Sequence, residues 1–503
     1  MDERKTKKKT TKENRNSFFE DKKSSARMTT NWSRPIKRGI CFLMFVCALL
    51  VAADVTHVDF GKFVKRGDRF FDIWKQMIPL DMSFTGKVVH AIVTTLAMSI
   101  AGTGIGAFLG IWIARACTKG VSQYGILRIL VKVLINLIRT IPVIILALAS
   151  TFLFGVGSFA GTVAIAIQTM VILAKLGYED MEIANRKTYE VLKASGCSHR
   201  KCFLRTILPE VLPGYLTNTL YLLEANVRQA AILGYVGAGG IGILLNEKVT
   251  WRDYPKVGIM LLCLYAVVIL MEQCSQKLRL FLESDKTYSA RTHWSVVIGI
   301  TLLILSSACL VGLPQVTSKG AKVVHQMIYG MTHPTMALLC GRAKDGVFYM
   351  MWETVCIAFL GTVVGVVLAA PLSIAASKKL MPKPVAVVVR LFLMAIRTIP
   401  VFIYGLMFLR VTGPGPFAGT MTLGICSIGL LSKRFLIAID NLDYGAWKAY
   451  EAMGIGRVAR IRQTILPQLF PAFTSAALYR FDVNLREASI LGIVGAGGIG
   501  APL

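Results

Sequence analysis

Long apolar runs broken by short polar, basic segments set the pattern of this chain. They lie near Val88–Ala114, Ile126–Phe154, Gly161–Leu176, Tyr215–Val236 and Val257–Met271. A second series lies near Trp294–Val311, Met350–Ala376, Val385–Leu409, Ala418–Leu431 and Phe473–Ile493. Most approach the roughly 20 residues that a bilayer helix needs. A shorter run, Ile40–Ala53, precedes both series. It ends in small residues like the core of a signal peptide, but the polar region ahead of it is long for one. The expectation is a short first span whose amino end is held inside by Arg34, Lys37 and Arg38. Six spans followed by five predict an all-α polytopic membrane protein of about 11 transmembrane helices.

Composition sharpens this picture. Of 503 residues 54% are hydrophobic and 17% charged, against about 45–50% and 25% in soluble domains. The net charge of +29 therefore does not point to nucleic acid. In a membrane protein, excess Lys and Arg collect in cytoplasmic loops and set orientation. With the amino terminus inside, those loops hold Arg115/Lys119, Arg186–Arg205, Lys277–Arg291, Lys378/Lys379/Lys383 and Lys448–Arg462, all basic. Lys62–Arg69 is basic yet falls outside, so the rule holds on balance. Residues 1–38 read as a basic, disordered cytoplasmic tail. The 11 cysteines show no metal-ligand spacing, and those within apolar runs behave as small hydrophobes.

The chain repeats itself. Arg139-Thr140-Ile141-Pro142-Val143 returns as Arg397-Thr398-Ile399-Pro400-Val401, and Val236 to Gly242 returns as Val494 to Gly500, each at an offset of 258. Aligned without a gap, 139–242 and 397–500 share 38 identities in 104 positions. Shared hydrophobicity does not produce that. Six spans per unit give both copies one orientation, a parallel repeat about an axis along the membrane normal. Such a repeat places a path at its centre and argues for transport. The expected organisation is a tail at 1–38, a first repeat at 39–275, a cytoplasmic linker at 276–292, and a second repeat at 293–503 without a recognisable last helix.

Between the fourth and fifth spans of each copy lies a polar, helix-compatible stretch. The first runs Tyr189-Glu190-Val191-Leu192-Lys193-Ala194-Ser195-Gly196, then Thr206-Ile207-Leu208-Pro209. The second runs Lys448-Ala449-Tyr450-Glu451-Ala452-Met453-Gly454, then Thr464-Ile465-Leu466-Pro467. The Gly-to-Pro spacing is 13 in both. Glycine suits a left-handed helix end and proline the first turn of the next helix. Each segment should form a short helix, a turn and an element leading back into the membrane.

These stretches resemble the EAA loop of permease subunits in binding-protein-dependent ABC importers. Tyr221 to Gly242, Tyr479 to Gly500 and both Arg-Thr-Ile-Pro blocks are similar more narrowly to phosphonate-type permeases, here as two fused copies over about 85–275 and 345–503. The resemblance implies a translocation subunit, not an enzyme, for phosphonate or a related phosphorus oxyanion. It implies ABC ATPase subunits in the cytoplasm, an extracytoplasmic substrate-binding protein and a place in the bacterial inner membrane, with no cofactor. It also implies ATPase-coupling roles for Glu190, Gly196, Pro209, Lys448, Glu451, Gly454 and Pro467. The acidic position six residues before the loop glycine is Glu190 in copy one but Lys448 in copy two. Glu451, three residues on, is its geometric substitute.

Charges inside the spans supply the candidate path: Arg139, Arg228, Asn226, Arg397, Asn484 and Arg486. Glu224/Arg228 and Asp482/Arg486 lie four apart and face one another on a helix. Intramembrane charges face a cavity or a partner. Guanidinium groups suit phosphorus oxyanions, so the arginines line an anion path or are already neutralised as structural ion pairs. Arg139 and Arg397, just before Pro142 and Pro400, either face a path at a proline kink or reach an interface. The Gly-Ala-Gly-Gly-Ile-Gly blocks contain G-x-G-x-x-G, but each follows a membrane span rather than a strand, which disfavours dinucleotide binding. A tight turn fits better. Gly102, Gly106 and Gly110, with Gly361 and Gly365, have helix-packing spacing. An ion-coupled secondary transporter and an enzyme acting on lipid phosphates are the rivals. The coupling segments argue against the first, and the lack of a catalytic constellation against the second.

Overall fold

A computed structural model describes residues 33–122, 125–283, 304–312, 318–333 and 346–501. Among these every regular element is helical. Two compact units are distinguished, residues 1–54 and 55–503. Within the first, α1 (Ser33–Val55) is a single helix whose apolar part is Gly39–Val55. It takes in the last six residues of the expected tail, because helix formation runs on from the apolar run into its basic flank. Residues 1–32 lie outside the described residues.

The second unit begins with α2 (Phe60–Arg66) and the amphipathic α3 (Asp68–Met77). The first repeat follows as α4 (Thr85–Cys117), α5 (Gly125–Thr140), α6 (Val143–Phe154), α7 (Ser158–Ile183), α8 (Lys187–Ala194), α9 (His199–Arg205), α10 (Ile207–Leu233), α11 (Ile241–Thr250) and α12 (Tyr254–Glu283). The second comprises α13 (Ser318–Thr332), α14 (Val347–Ala375), α15 (Lys383–Thr398), α16 (Val401–Thr412), α17 (Pro416–Asp440), α18 (Gly445–Ala452), α19 (Arg457–Arg460) and α20 (Leu466–Ile493).

Five helices are long and apolar enough to cross a membrane, or up to eight if each of three bent pairs is one span, among the described residues. The count of eight leaves out Gly39–Val55, which is short, together with α20 and Trp294–Val311, and the count of five also leaves out the three bent pairs. The run Ile126–Phe154 is not one helix: α5 and α6 meet at 94°, as α15 and α16 meet at 87°. Pro142 and Pro400 adopt extended ψ values of 141° and 143°, so each proline ends one helix and starts another instead of bending one. Helix α20 carries Arg480, Asp482, Arg486 and Glu487 and is less apolar than the other helices of more than 20 residues. Trp294–Val311 lies mostly outside the described residues. The expected linker also begins as helix, since α12 continues through Glu283.

Helices α4 and α7 pack tightly in the first repeat, and α14 and α17 repeat the arrangement. The glycines explain the closeness. A Cβ on Gly102 would stand 2.8 Å from Ile165, and one on Gly361 2.8 Å from the Leu423 Cβ. Small residues at four-residue spacing thus let the axes approach. The leading helices then cross over. Helix α3 packs on α16 of the second repeat, with Phe70 stacked on Phe408 at 5.1 Å between centroids. Helix α13 packs on α6 of the first, where a Cβ on Gly320 would overlap the Phe152 carbonyl. The second repeat is therefore held by a helix that precedes the first, and the first by the leading helix of the second.

Both glycine blocks are non-helical turns. Gly237, Gly239 and Gly240 have φ of 79°, 86° and 70°, and Gly495, Gly497 and Gly498 have 85°, 79° and 77°. Residues with a Cβ rarely tolerate that region. The turns are tied down identically: Gly157 N–H donates to the Gly237 carbonyl and Gly415 N–H to that of Gly495, each at 3.0 Å. Ile241 N–H donates to Thr95 Oγ1 at 2.8 Å and Ile499 N–H to Thr354 Oγ1 at 2.9 Å. In the first repeat this turn and the α8–α9 segment sit at opposite ends of α10, whose 27 residues span about 40 Å.

Candidate functional site

Helices α10, α17 and α20, with the α15–α16 break, enclose a cavity of about 670 Å³. Seven pairs of its lining positions are related by the 258-residue repeat offset, among them Ile172/Leu430, Tyr221/Tyr479 and Gln229/Glu487. The cavity therefore straddles the pseudo-twofold axis between the repeats. Five basic residues line it (Arg228, Arg397, Lys433, Arg434 and Arg480) against two acidic ones, Glu224 and Glu487.

Most of these charges are paired. Glu224, 3% exposed, accepts from Arg228 Nη1 at 3.0 Å and stands 3.3 Å from Lys433 Nζ and 3.5 Å from Arg397 Nη2. Glu272 of α12 meets Lys433 at 3.0 Å and also receives Arg397. Two carboxylates from the first repeat thus bind two cations from the second, and Arg228 joins them. Arg480, 3% exposed, donates to Glu487 Oε2 at 2.7 Å and to Ser427 Oγ at 2.9 Å.

Of the candidate path residues, Arg228 and Arg397 line the cavity and the other four do not. Asn226 and Asn484 are buried behind its wall. Asn226 Nδ2 donates to Thr103 at 2.8 Å and Thr169 at 2.9 Å, and Asn484 Nδ2 to Thr362 at 2.8 Å and Ser427 at 3.0 Å. Each asparagine ties three helices together. Arg486 pairs with Asp482 at 3.0 Å in an exposed setting, and Arg139 is half-buried. Arg397 is 5% exposed at its side chain and ion-paired. Glu272, Lys433, Arg434, Arg480 and Glu487 were missed in the sequence. Their signal was an ionisable group inside or just beyond an apolar run, the default mark of function in a membrane helix.

The repeats are not electrostatic copies. Lys175, at the repeat position of Lys433, pairs with Glu179 of its own helix at 3.7 Å. Asp482 holds Arg486 alone, whereas Glu224 at the matching position holds three cations.

The two polar segments have one design. Helix α8 ends at Gly196 (φ 82°) and α18 at Gly454 (φ 70°). Cys197 N–H reaches the Leu192 carbonyl and Gly196 N–H that of Lys193; Ile455 N–H reaches Tyr450 and Gly454 N–H reaches Glu451. This double closure requires glycine in the left-handed conformation. Pro209 and Pro467 stand in the first turns of α10 and α20, as expected. Glu190 and Lys448 are both exposed. Glu451 is tied to Arg460, whose guanidinium also lies 4.7 Å from the Trp447 ring. It is engaged within its own segment and remains 58% exposed at its side chain. Tyr189 is buried and shares a 2.9 Å hydrogen bond with His199 Nδ1; burial pushes its phenol above the usual value. Helices this short are marginal alone, yet Val191 is 64% and Met453 63% exposed. Both segments carry exposed apolar surface.

The sequence matches the family described as binding-protein-dependent transport system inner membrane component over residues 102–278 and 346–503. It is 26% identical over 442 residues to the phosphate-import permease protein PhnE of Mycolicibacterium smegmatis, covering 86% of this chain and 82% of that one. It is 32% identical over 204 residues to the phosphite transport system permease protein PtxC of Stutzerimonas stutzeri, covering 41% and 74%. A putative cryptic phosphonate transport system permease protein, PhnE2 of Escherichia coli, is 34% identical over 116 residues, covering 23% and 95%.

Proposed function

The chain belongs to the family of binding-protein-dependent transport system inner membrane components, and on that premise we propose that it is the route by which a phosphorus oxyanion enters a bacterial cell. As an importer permease it is not itself an enzyme, and ATP is hydrolysed by a separate subunit. The observation that carries the proposal is the basic cavity on the pseudo-twofold axis, five cations against two carboxylates. The named relatives, a phosphate-import, a phosphite and a putative phosphonate permease, support a phosphorus oxyanion as its cargo.

Two ATPase subunits grip α8 and α18, the exposed short helices, from the cytoplasm, and the amino terminus lies on that same side. Closure of the ATPases on ATP moves each helix, and the rigid glycine end passes the motion to α10 and α20. These two helices form much of the cavity wall, so their movement exposes it alternately to either side. The glycine-rich turns at the far end of α10 and its counterpart close the path outside, where a substrate-binding protein delivers the anion. Lys448 in place of an acid gives the second grip a different charge from the first.

Proteoliposomes holding this chain with its ATPase and receptor test the proposal. Uptake of labelled phosphate or methylphosphonate is expected only with ATP and receptor. Uptake driven by an ion gradient without ATP would favour a secondary transporter and overturn it.

A further inference from the structure

We propose that the cavity seats one tetrahedral phosphorus oxyanion off the pseudo-twofold axis, against the second-repeat wall, with Arg434 as its principal cation. This rests on the cavity being the transport route. A volume of about 670 Å³ is more than a small oxyanion fills. Its position is therefore set by charge, not by fit.

The paired lining positions show where that charge lies. Arg434 and Arg480 line the cavity from the second repeat, and their counterparts from the first are Leu176 and Leu222. Two cations on one wall thus face two leucines on the other. Four of the five lining cations already have carboxylate partners: Arg228, Arg397 and Lys433 share Glu224 and Glu272, and Arg480 holds Glu487. Arg434 has no carboxylate partner among the described residues. Its guanidinium lies 3.8 Å from the centroid of the Tyr479 ring. A cation over a ring face is held in orientation, while its N–H edges stay free for two parallel hydrogen bonds to an oxyanion.

The mirror tyrosine cannot do the same. Tyr221 also carries an arginine at 3.8 Å, but that is Arg279 of α12, 8% exposed and outside the cavity lining. Lys433, beside Arg434 and 31% exposed at its side chain, adds field on the same wall. The mirror pair at 175 and 176 is a lysine, matched to Glu179, and a leucine. A fused chain can hold such a one-sided seat. Two identical subunits would have to build it twice or on the axis.

The test uses the full chain with its ATPase and receptor in proteoliposomes, with inorganic phosphate and methylphosphonate as separate probes. R434L is expected to lower the maximal uptake rate about tenfold, the worth of a charge-assisted contact. The half-saturating concentration, set by the receptor, stays constant. R434K keeps the charge and is expected to retain more uptake than R434L. The double variant L176R/R434L, which moves the arginine to the mirror wall, is expected to stay below about a third of the wild-type rate. Uptake by R434L and R434K at the wild-type rate overturns the seat, and full recovery in the double variant overturns its one-sidedness. Failure of the wild-type chain to move either probe would instead sink the functional reading itself.

Discussion

Glu224 and Asp482 occupy one position of the two repeats, and substituting each by its amide isolates the effect of burial. Glu224 is 3% exposed and faces three cations within 3.5 Å. Glu224→Gln leaves Arg228 without its partner and leaves Arg397 and Lys433 to share Glu272. The cluster of two carboxylates and three cations then carries one more unit of uncompensated positive charge. Breaking a buried pair costs about 3–5 kcal/mol, because the surviving charges remain desolvated. Asp482 is 55% exposed at its side chain and faces Arg486 alone, and water replaces that partner for about 1 kcal/mol or less. Equilibrium unfolding of the purified chain in mixed SDS and mild-detergent micelles reads both values. A double-mutant cycle of Glu224→Gln with Lys433→Met should return a coupling of about 1–3 kcal/mol. Equal costs for Glu224→Gln and Asp482→Asn, or no coupling to Lys433, would refute the reading of this cluster as the ionic tie between the repeats.

Gly196→Pro or Gly454→Pro breaks the double hydrogen-bonded helix end, and we expect uptake to be lost while ATP hydrolysis by the partner subunits continues; unchanged uptake would show that these segments do not transmit force. Asn226→Leu removes two buried hydrogen bonds and Asn484→Leu those to Thr362 and Ser427, and each should cost about 2 kcal/mol in the same unfolding assay. Asp81 accepts from Ser83 N–H at 3.1 Å and from its hydroxyl at 2.5 Å, and the hydroxyl above all holds its carboxyl below the usual range. Its folded pKa is depressed, so its contribution is fully present above the ordinary carboxylate pKa and is lost as pH falls through the depressed value. The protection of the Ser83 amide, measured against its intrinsic exchange rate at each pH, should fall over that acid window, and Asp81→Asn should remove that change in protection.

What could be read from the sequence was local or periodic. The 258-residue repeat, the four-residue glycine spacing and the Glu224–Arg228 pair depend on positions a few residues apart or on direct self-comparison. The glycine ends of α8 and α18 belong with them, because left-handed closure is decided by the five or six residues around Gly196 and Gly454. Proline at 142 and 400 announced a disturbance, but its size was not legible. A bend of 94° is settled by what α6 packs against, including α13 from the other repeat.

Tertiary structure alone decided which charges meet. Lys433 lies 161 residues from Glu272 and 209 from Glu224, and no spacing rule links them. It also separated positions that look alike in the sequence. Asn226 and Asn484 turned inward to threonine and serine hydroxyls, while Arg228 and Arg397 turned to the cavity. Glu224 was buried and its twin Asp482 left exposed. The physical reason is that the field at a side chain is the sum over every helix packed around it. A repeat fixes the shape of that packing, whereas each substitution since the duplication was free to change the charges on one wall alone.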